Sequence, residues 1–122
     1  MIVHMFIYMS HSCMDDAAVK TMTNALPSEQ VINRICQIFG ALQCTTRLQI
    51  LLLLQHGPLC VTDLENVLGQ SQSAISHNLR TLRQLDLVRT KREGRFTLYH
   101  LADEHVSVLV DMCQQHAKEM EN

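Results

Sequence analysis

Between Ser71 and Leu101 the spacing of apolar residues changes its period, and that change restricts the chain to a narrow set of folds. Ile75, Leu79, Leu82 and Leu85 recur at helical spacing, the mark of one buried face on a helix started by Ser71. The runs Leu87-Val88-Arg89-Thr90-Lys91-Arg92 and Phe96-Thr97-Leu98-Tyr99-His100-Leu101 then alternate at a period of two around Glu93-Gly94, which predicts a β-hairpin. Upstream, Ser28 starts a helix carrying Val31, Ile32, Ile35, Ile38 and Phe39, which ends near Gly40. A strongly apolar helix follows, capped by Thr45 or Thr46, filled by Leu48 and Ile50 to Leu54, and stopped at Gly57-Pro58. A short helix from about Thr62, its expected N-cap, to Leu68 is broken by Gly69 just before Ser71, so two helices meet at a tight glycine turn, a helix-turn-helix. The expected architecture is mainly α with one small hairpin and a closing helix. We read residues 1–27 as an N-terminal arm and 28–122 as one domain.

Charge is divided along this framework. The net charge of −2 would not by itself suggest a polyanionic partner. Yet Arg80, Arg83, Arg89, Lys91, Arg92 and Arg95 crowd the helix-turn-helix and hairpin against only Asp86 and Glu93, a density suited to phosphate neutralisation. From Asp103 onward, Asp103, Glu104, Asp111, Glu119 and Glu121 oppose Lys118 alone. The five cysteines are odd in number and lack a C-x-x-C pair, which argues against a secreted disulfide scaffold and for a reducing cytoplasm. The opening MIVHMFIYM is apolar but short, without a basic leading region or a small-residue cleavage site, so neither a signal peptide nor a membrane span is expected. Met5, Met9 and Met14 are alternative starts.

The acidic closing segment also carries metal-type ligands. Asp103, His105, His116 and Glu119 share one predicted helix, and a rise of about 1.5 Å per residue separates the two imidazoles by roughly 16 Å. Zinc bonds are only about 2 Å long, so one chain cannot bring all four ligands to one ion. Because the interval between the histidines is close to three turns, both face the same side, with Glu119 beside His116. Two such helices packed antiparallel about a two-fold axis would join Asp103 and His105 of one chain to His116 and Glu119 of the other, giving two symmetric sites per homodimer. A solvated helix with scattered histidines is the simpler alternative.

Together these residues resemble the ArsR/SmtB family of winged helix-turn-helix repressors, over roughly Val31 to Glu119. The segments that carry the resemblance are L-C-V-T-D-L at 59–64, S-Q-S-A-I-S-H-N-L-R-T-L-R at 71–83, L-V-R-T-K-R-E-G-R at 87–95 and Y-H-L-A-D-E-H from 99. Cys44-Thr45-Thr46 departs from the family's acidic or Asn-containing turn before the apolar helix, which bears on local capping. The ligand spacing is similar to that of the zinc-sensing SmtB-like branch. The resemblance implies a dimer that holds operator DNA without metal and releases it when metal binds. It also implies that the non-ligating nitrogen of His116 bonds a backbone carbonyl near Asp86, just after the recognition helix.

For DNA, Ser71, Gln72, Ser73, Ser76 and His77 crowd the start of the recognition helix, where short polar side chains can reach base edges in the major groove. Ser71 suits an N-cap equally, and His77 a plain surface position. Arg80 and Arg83 are placed for phosphate, and Lys91, Arg92 and Arg95 ride on the wing over the backbone or a minor groove. A second metal site starts at Cys60-x-x-Asp63, two donors that do not complete a tetrahedron. The resemblance implies that the rest come from the N-terminal arm, with Cys13 and His11 as donors and His4 as an alternative to His11. Cys60 as a core residue and Asp63 as a helix cap are the plainer readings.

The expected function is a zinc-sensing repressor, with cobalt or nickel chemically acceptable, that binds double-stranded operator DNA of inverted-repeat form as a homodimer and contacts no membrane. Four protein ligands would close the metal's coordination sphere, so no enzyme is expected. Two other readings stay open at this point. One is a thiol-based redox or persulfide sensor using Cys36, Cys44 or Cys113; the other is a zinc-buffering protein without operator specificity.

Overall fold

A computed structural model describes residues 13–121. Its compact units divide at Ile35 and Cys36. His4 and His11, named above as arm donors, lie outside the described residues, as does the opening apolar run. Among the described residues no single helix is long and apolar enough to cross a membrane.

In the first unit, α1 (Asp16–Ala25) occupies a stretch to which the sequence reading assigned no element. Its start is a side-chain cap: the Asp15 carboxylate accepts from the Ala18 N–H at 2.8 Å. Helix α2 (Glu29–Ala41) begins where Ser28 Oγ accepts from the Val31 N–H at 3.3 Å, and runs on into the second unit. Val31, Ile32, Ile35 and Phe39 are exposed along it.

The second unit contains α3 (Thr45–Leu54), α4 (Val61–Leu68), α5 (Gln72–Gln84), strands β1 (Val88–Glu93) and β2 (Phe96–Leu101), and α6 (Glu104–Glu119). Its core is aliphatic. Ile50, Leu51 and Leu54 of α3, Leu64 of α4, Ile75, Leu79 and Leu82 of α5, Leu87 and Val88, and Val106 and Val110 of α6 form one buried cluster. Each such side chain removed from water contributes about 1.5–3 kcal/mol, so this cluster orients every element of the unit. Arg47 reinforces it: Nε donates to the Ala41 carbonyl at 2.8 Å, closing the end of α2, and an η nitrogen donates to Asn78 Oδ1 on α5 at 3.2 Å.

Several local details differ from the sequence expectation. Cys44, not Thr45 or Thr46, is the N-cap residue of α3. The Thr46 hydroxyl instead accepts from Gln70 Nε2 at 2.7 Å, tying α3 to the turn of the helix-turn-helix. The N-cap of α4 is Cys60, two residues before the expected Thr62, and the Asp63 carboxylate accepts from the Cys60 N–H at 3.2 Å. The hairpin turn is Gly94-Arg95, because Glu93 pairs with Phe96. Gly94 has φ of 60° and Arg95 is not left-handed, the pattern of the hairpin turn that needs glycine at its first central position. A feature without sequence signal is a bridge between Leu59 and Tyr99, whose backbones exchange bonds of 3.0 and 2.8 Å and fasten the start of α4 to the hairpin.

Candidate functional site

Helix α5 presents a polar outer face from its first turn. Ser71 Oγ accepts from the Ala74 N–H at 3.2 Å and fixes the helix start, so its capping role is real. Gly69, in the left-handed conformation at φ of 65°, ends α4 and reverses the chain into α5. With Ile75, Leu79 and Leu82 fully packed inward, the outer face is left to Gln72, Ser73, His77 and Arg80, all exposed, with Ser76 half-buried beside them. The structure therefore gathers the residues singled out for base contact on one accessible helix start.

The cations sort into two kinds. Arg89 is committed within the chain: its Nε donates to Asp86 Oδ1 and an η nitrogen to Asp86 Oδ2, both at 2.9 Å. This bond holds the Asp86 carboxyl below the usual carboxylate range and raises Arg89 in turn. Asp86 sits at φ of 53°, a left-handed position that aspartate tolerates better than most residues, where the Leu87 N–H reaches back to the Leu82 carbonyl at 2.9 Å and closes α5. Arg80, Arg83, Lys91, Arg92 and Arg95 are exposed and have no carboxylate partner among the described residues. Arg80 and Arg83 line a cleft of about 460 Å³ with Ser76, Gln84 and Tyr99. Tyr99 and Gln84 were not singled out from the sequence. The bridge to Leu59 that fixes Tyr99 joins residues forty apart in the chain and leaves no local pattern.

On α6, Asp103 is the N-cap residue, its Oδ1 accepting from the Val106 N–H at 3.2 Å. The same oxygen lies 3.4 Å from His105 Nδ1. Two ligand atoms of a tetrahedral zinc with bonds of about 2.0–2.1 Å stand roughly 3.3 Å apart, so this pair is spaced as two corners of such a site. His116 and Glu119 lie exposed near the other end of the helix. Among the described residues no three His, Cys, Asp or Glu side chains converge within one chain. At α4, Cys60 Sγ and Asp63 Oδ2 are 3.2 Å apart, near the roughly 3.5 Å expected of a thiolate and a carboxylate on one zinc. Cys13 is exposed in the first unit.

A helix-turn-helix followed by a two-stranded wing defines a winged-helix DNA-binding protein. Residues 44–90 match the family described as bacterial regulatory protein, arsR family. Over 91 residues the chain is 43% identical to the HTH-type transcriptional regulator NmtR of Mycobacterium tuberculosis, covering 75% of this chain and 76% of that one. It is 37% identical over 87 residues to a cadmium resistance transcriptional regulatory protein, a CadC homolog of Staphylococcus aureus, covering 70% and 72% of the two chains. The solution structure of a homodimeric winged helix-turn-helix DNA-binding domain from Mycobacterium bovis superposes with a TM-score of 0.70 at 32% identity, covering 78% of this chain and 91% of that one. The chain belongs to the ArsR/SmtB family of metal-responsive transcriptional repressors.

Proposed function

We propose that the chain is a homodimeric repressor that holds an inverted-repeat operator and releases it on binding zinc at two sites shared between subunits. Each site would take Asp103 and His105 from one protomer and the partner's His116 and Glu119. The observation that carries this reading is the 3.4 Å approach of Asp103 Oδ1 to His105 Nδ1 at one end of a helix whose far end presents a second His and Glu. When bound, the metal would fix the two helix ends to each other across the two-fold axis. The chain's own contribution is positional, because the cap to Val106 holds the Asp103 carboxylate in place before any metal arrives. Cobalt and nickel suit the same nitrogen and oxygen donors. Homodimerisation is supported by the homodimeric M. bovis domain and by the exposed Val108 and Met112 on α6.

Base contacts are assigned to Gln72, Ser73, Ser76 and His77, with Ser71 positioning the helix, and backbone contacts to Arg80, Arg83, Lys91, Arg92 and Arg95. Zinc lowers operator affinity by favouring a quaternary form that binds DNA less well, and operator must then weaken zinc by the same factor. A bond from the outer nitrogen of His116 to a carbonyl near Asp86 is the route we assign to this coupling. Cys60 and Asp63 are proposed as two donors of a second metal site. Gel-shift titration with zinc, paired with metal analysis of the purified dimer, tests the whole reading. Two zinc ions per dimer at the α6 sites and zinc-reversed operator binding are expected. Operator binding indifferent to zinc, or reversed by peroxide or sulfide instead, would overturn it.

A further inference from the structure

The wing tip carries an aromatic side chain that phosphate neutralisation does not use. Phe96 is 62% exposed, immediately after the Gly94-Arg95 turn and opposite Glu93. Single exposed apolar residues are common on protein surfaces, so exposure alone signifies little. Its surroundings are what set it apart. Every residue from Lys91 to Phe96 is exposed, and Lys91, Arg92 and Arg95 stand around Phe96 against one carboxylate, Glu93. Alternation along the strands puts Phe96 on the opposite face from the Arg92–Thr97 pair, in which Arg92 donates to Thr97 Oγ1 at 3.2 Å. By the same alternation Phe96 shares its face with Glu93 and Lys91, so the tip offers Arg92 on one face, Phe96 beside Glu93 and Lys91 on the other, and Arg95 at its apex. The glycine turn and the Glu93–Phe96 pairing set the tip's geometry.

A minor groove about 6 Å wide admits side chains from such a tip but not the hairpin itself. Cations there meet the groove's negative potential, whereas an apolar side chain beside them can pack on the sugar wall or open a base step. We propose that Phe96 is an apolar wedge that enters the minor groove of operator DNA beside Arg95, so that affinity depends on how easily the base steps flanking each half-site deform. Specificity would then come from positions at which no base edge is hydrogen-bonded. The inference rests on the operator-binding reading above.

Selection of binding sites from a random duplex library, run in parallel on full-length parent and on Phe96→Ala, Phe96→Leu and Arg95→Ala, tests it. The parent should enrich an inverted repeat together with flexible pyrimidine–purine steps outside each half-site, preferring them about tenfold over stiff flanks. Phe96→Ala should keep the half-site sequence, the parent melting temperature and the salt dependence while its flank preference falls to within about twofold. Phe96→Leu, still apolar, should retain most of that preference. Arg95→Ala should do the reverse, reducing the salt slope by about one while leaving flank preference in place. Equal flank preference in parent and Phe96→Ala would overturn the wedge, as would loss of the half-site sequence in Phe96→Ala. If the parent enriches no sequence, the operator reading itself fails, and the wedge with it.

Discussion

Helices α5 and α6 are of comparable length, yet one is finished by its own chain and the other is not. Helix α5 buries Ile75, Leu79 and Leu82 to 1% exposure or less, is capped by Ser71 and is closed by the left-handed turn at Asp86. Helix α6 buries Val106 and Val110 near its start, and from Asp111 onward every described residue is exposed, including Met112 and Met120. A reading head must hold its shape alone before it meets DNA. A sensing helix of the kind proposed for α6, with its two histidines roughly 16 Å apart, gains from being completed by a second copy, because binding then reports on quaternary arrangement.

The largest expected effect breaks the first half of this contrast. Leu79→Ala should cost about 2–5 kcal/mol in denaturant unfolding, through lost burial and the cavity left behind, and should abolish operator binding with it. Met112→Ala, on the exposed part of α6, should change stability by no more than about 0.5 kcal/mol at protein concentrations where the chain is monomeric, and should act on dimerisation instead. Equal destabilisation by the two would mean that α6 is as well packed within the chain as α5.

Gln72→Ala sharpens the account of the reading head, with an expected loss of about 1–3 kcal/mol confined to the selected operator and little change on unrelated duplex. Arg95→Ala is expected to weaken all sequences alike and to lower the slope of log affinity against log salt by about one, measured by fluorescence anisotropy over a salt series. Uniform loss with Gln72→Ala, or sequence-selective loss with Arg95→Ala, would exchange the two roles.

The smallest effect concerns the end of α5. Arg89 depresses the Asp86 carboxyl on folding, so their bond stabilises the fold at neutral pH, and this contribution is lost as pH falls through the lowered folded-state value. Asp86→Asn keeps a residue that tolerates the left-handed backbone but removes the charge. Its denaturation midpoint should fall slightly below the parent's at pH 7, and the gap should close in acid below the usual carboxylate range. A gap that widens in acid would contradict this sign.

How much was legible in the sequence follows the same division between local and distant causes. The helical spacing of Ile75, Leu79 and Leu82 and the alternation after Leu87 each express burial on one face, and the structure has a helix and a hairpin there. The caps at Cys44 and Cys60 were obscured because cysteine is not a usual capping residue and a threonine follows each within two residues. Helix α1 has a good cap in Asp15 but an exposed, weakly apolar face, so no buried stripe announced it. The bridge from Leu59 to Tyr99, and hence the cleft beside Arg80 and Arg83, depends on a tertiary meeting that no periodicity encodes. For the proposed α6 ligands, spacing along the helix was readable, but the 3.4 Å approach of Asp103 to His105 depends on the side-chain arrangement at the cap, which spacing does not encode.

That the metal sites are shared between subunits is the central claim, and a mixed dimer tests it most directly. A homodimer of His105→Ala, or of His116→Ala, loses one ligand from both sites and should lose high-affinity zinc and the zinc response, a regulatory effect of roughly 5- to 150-fold in operator affinity. In a heterodimer of one His105→Ala chain and one His116→Ala chain, both substitutions fall in the same shared site and the other site keeps all four ligands. Calorimetric titration of that purified heterodimer should recover one zinc per dimer at the parent's affinity. Recovery of none would contradict ligation across the dimer by these residues.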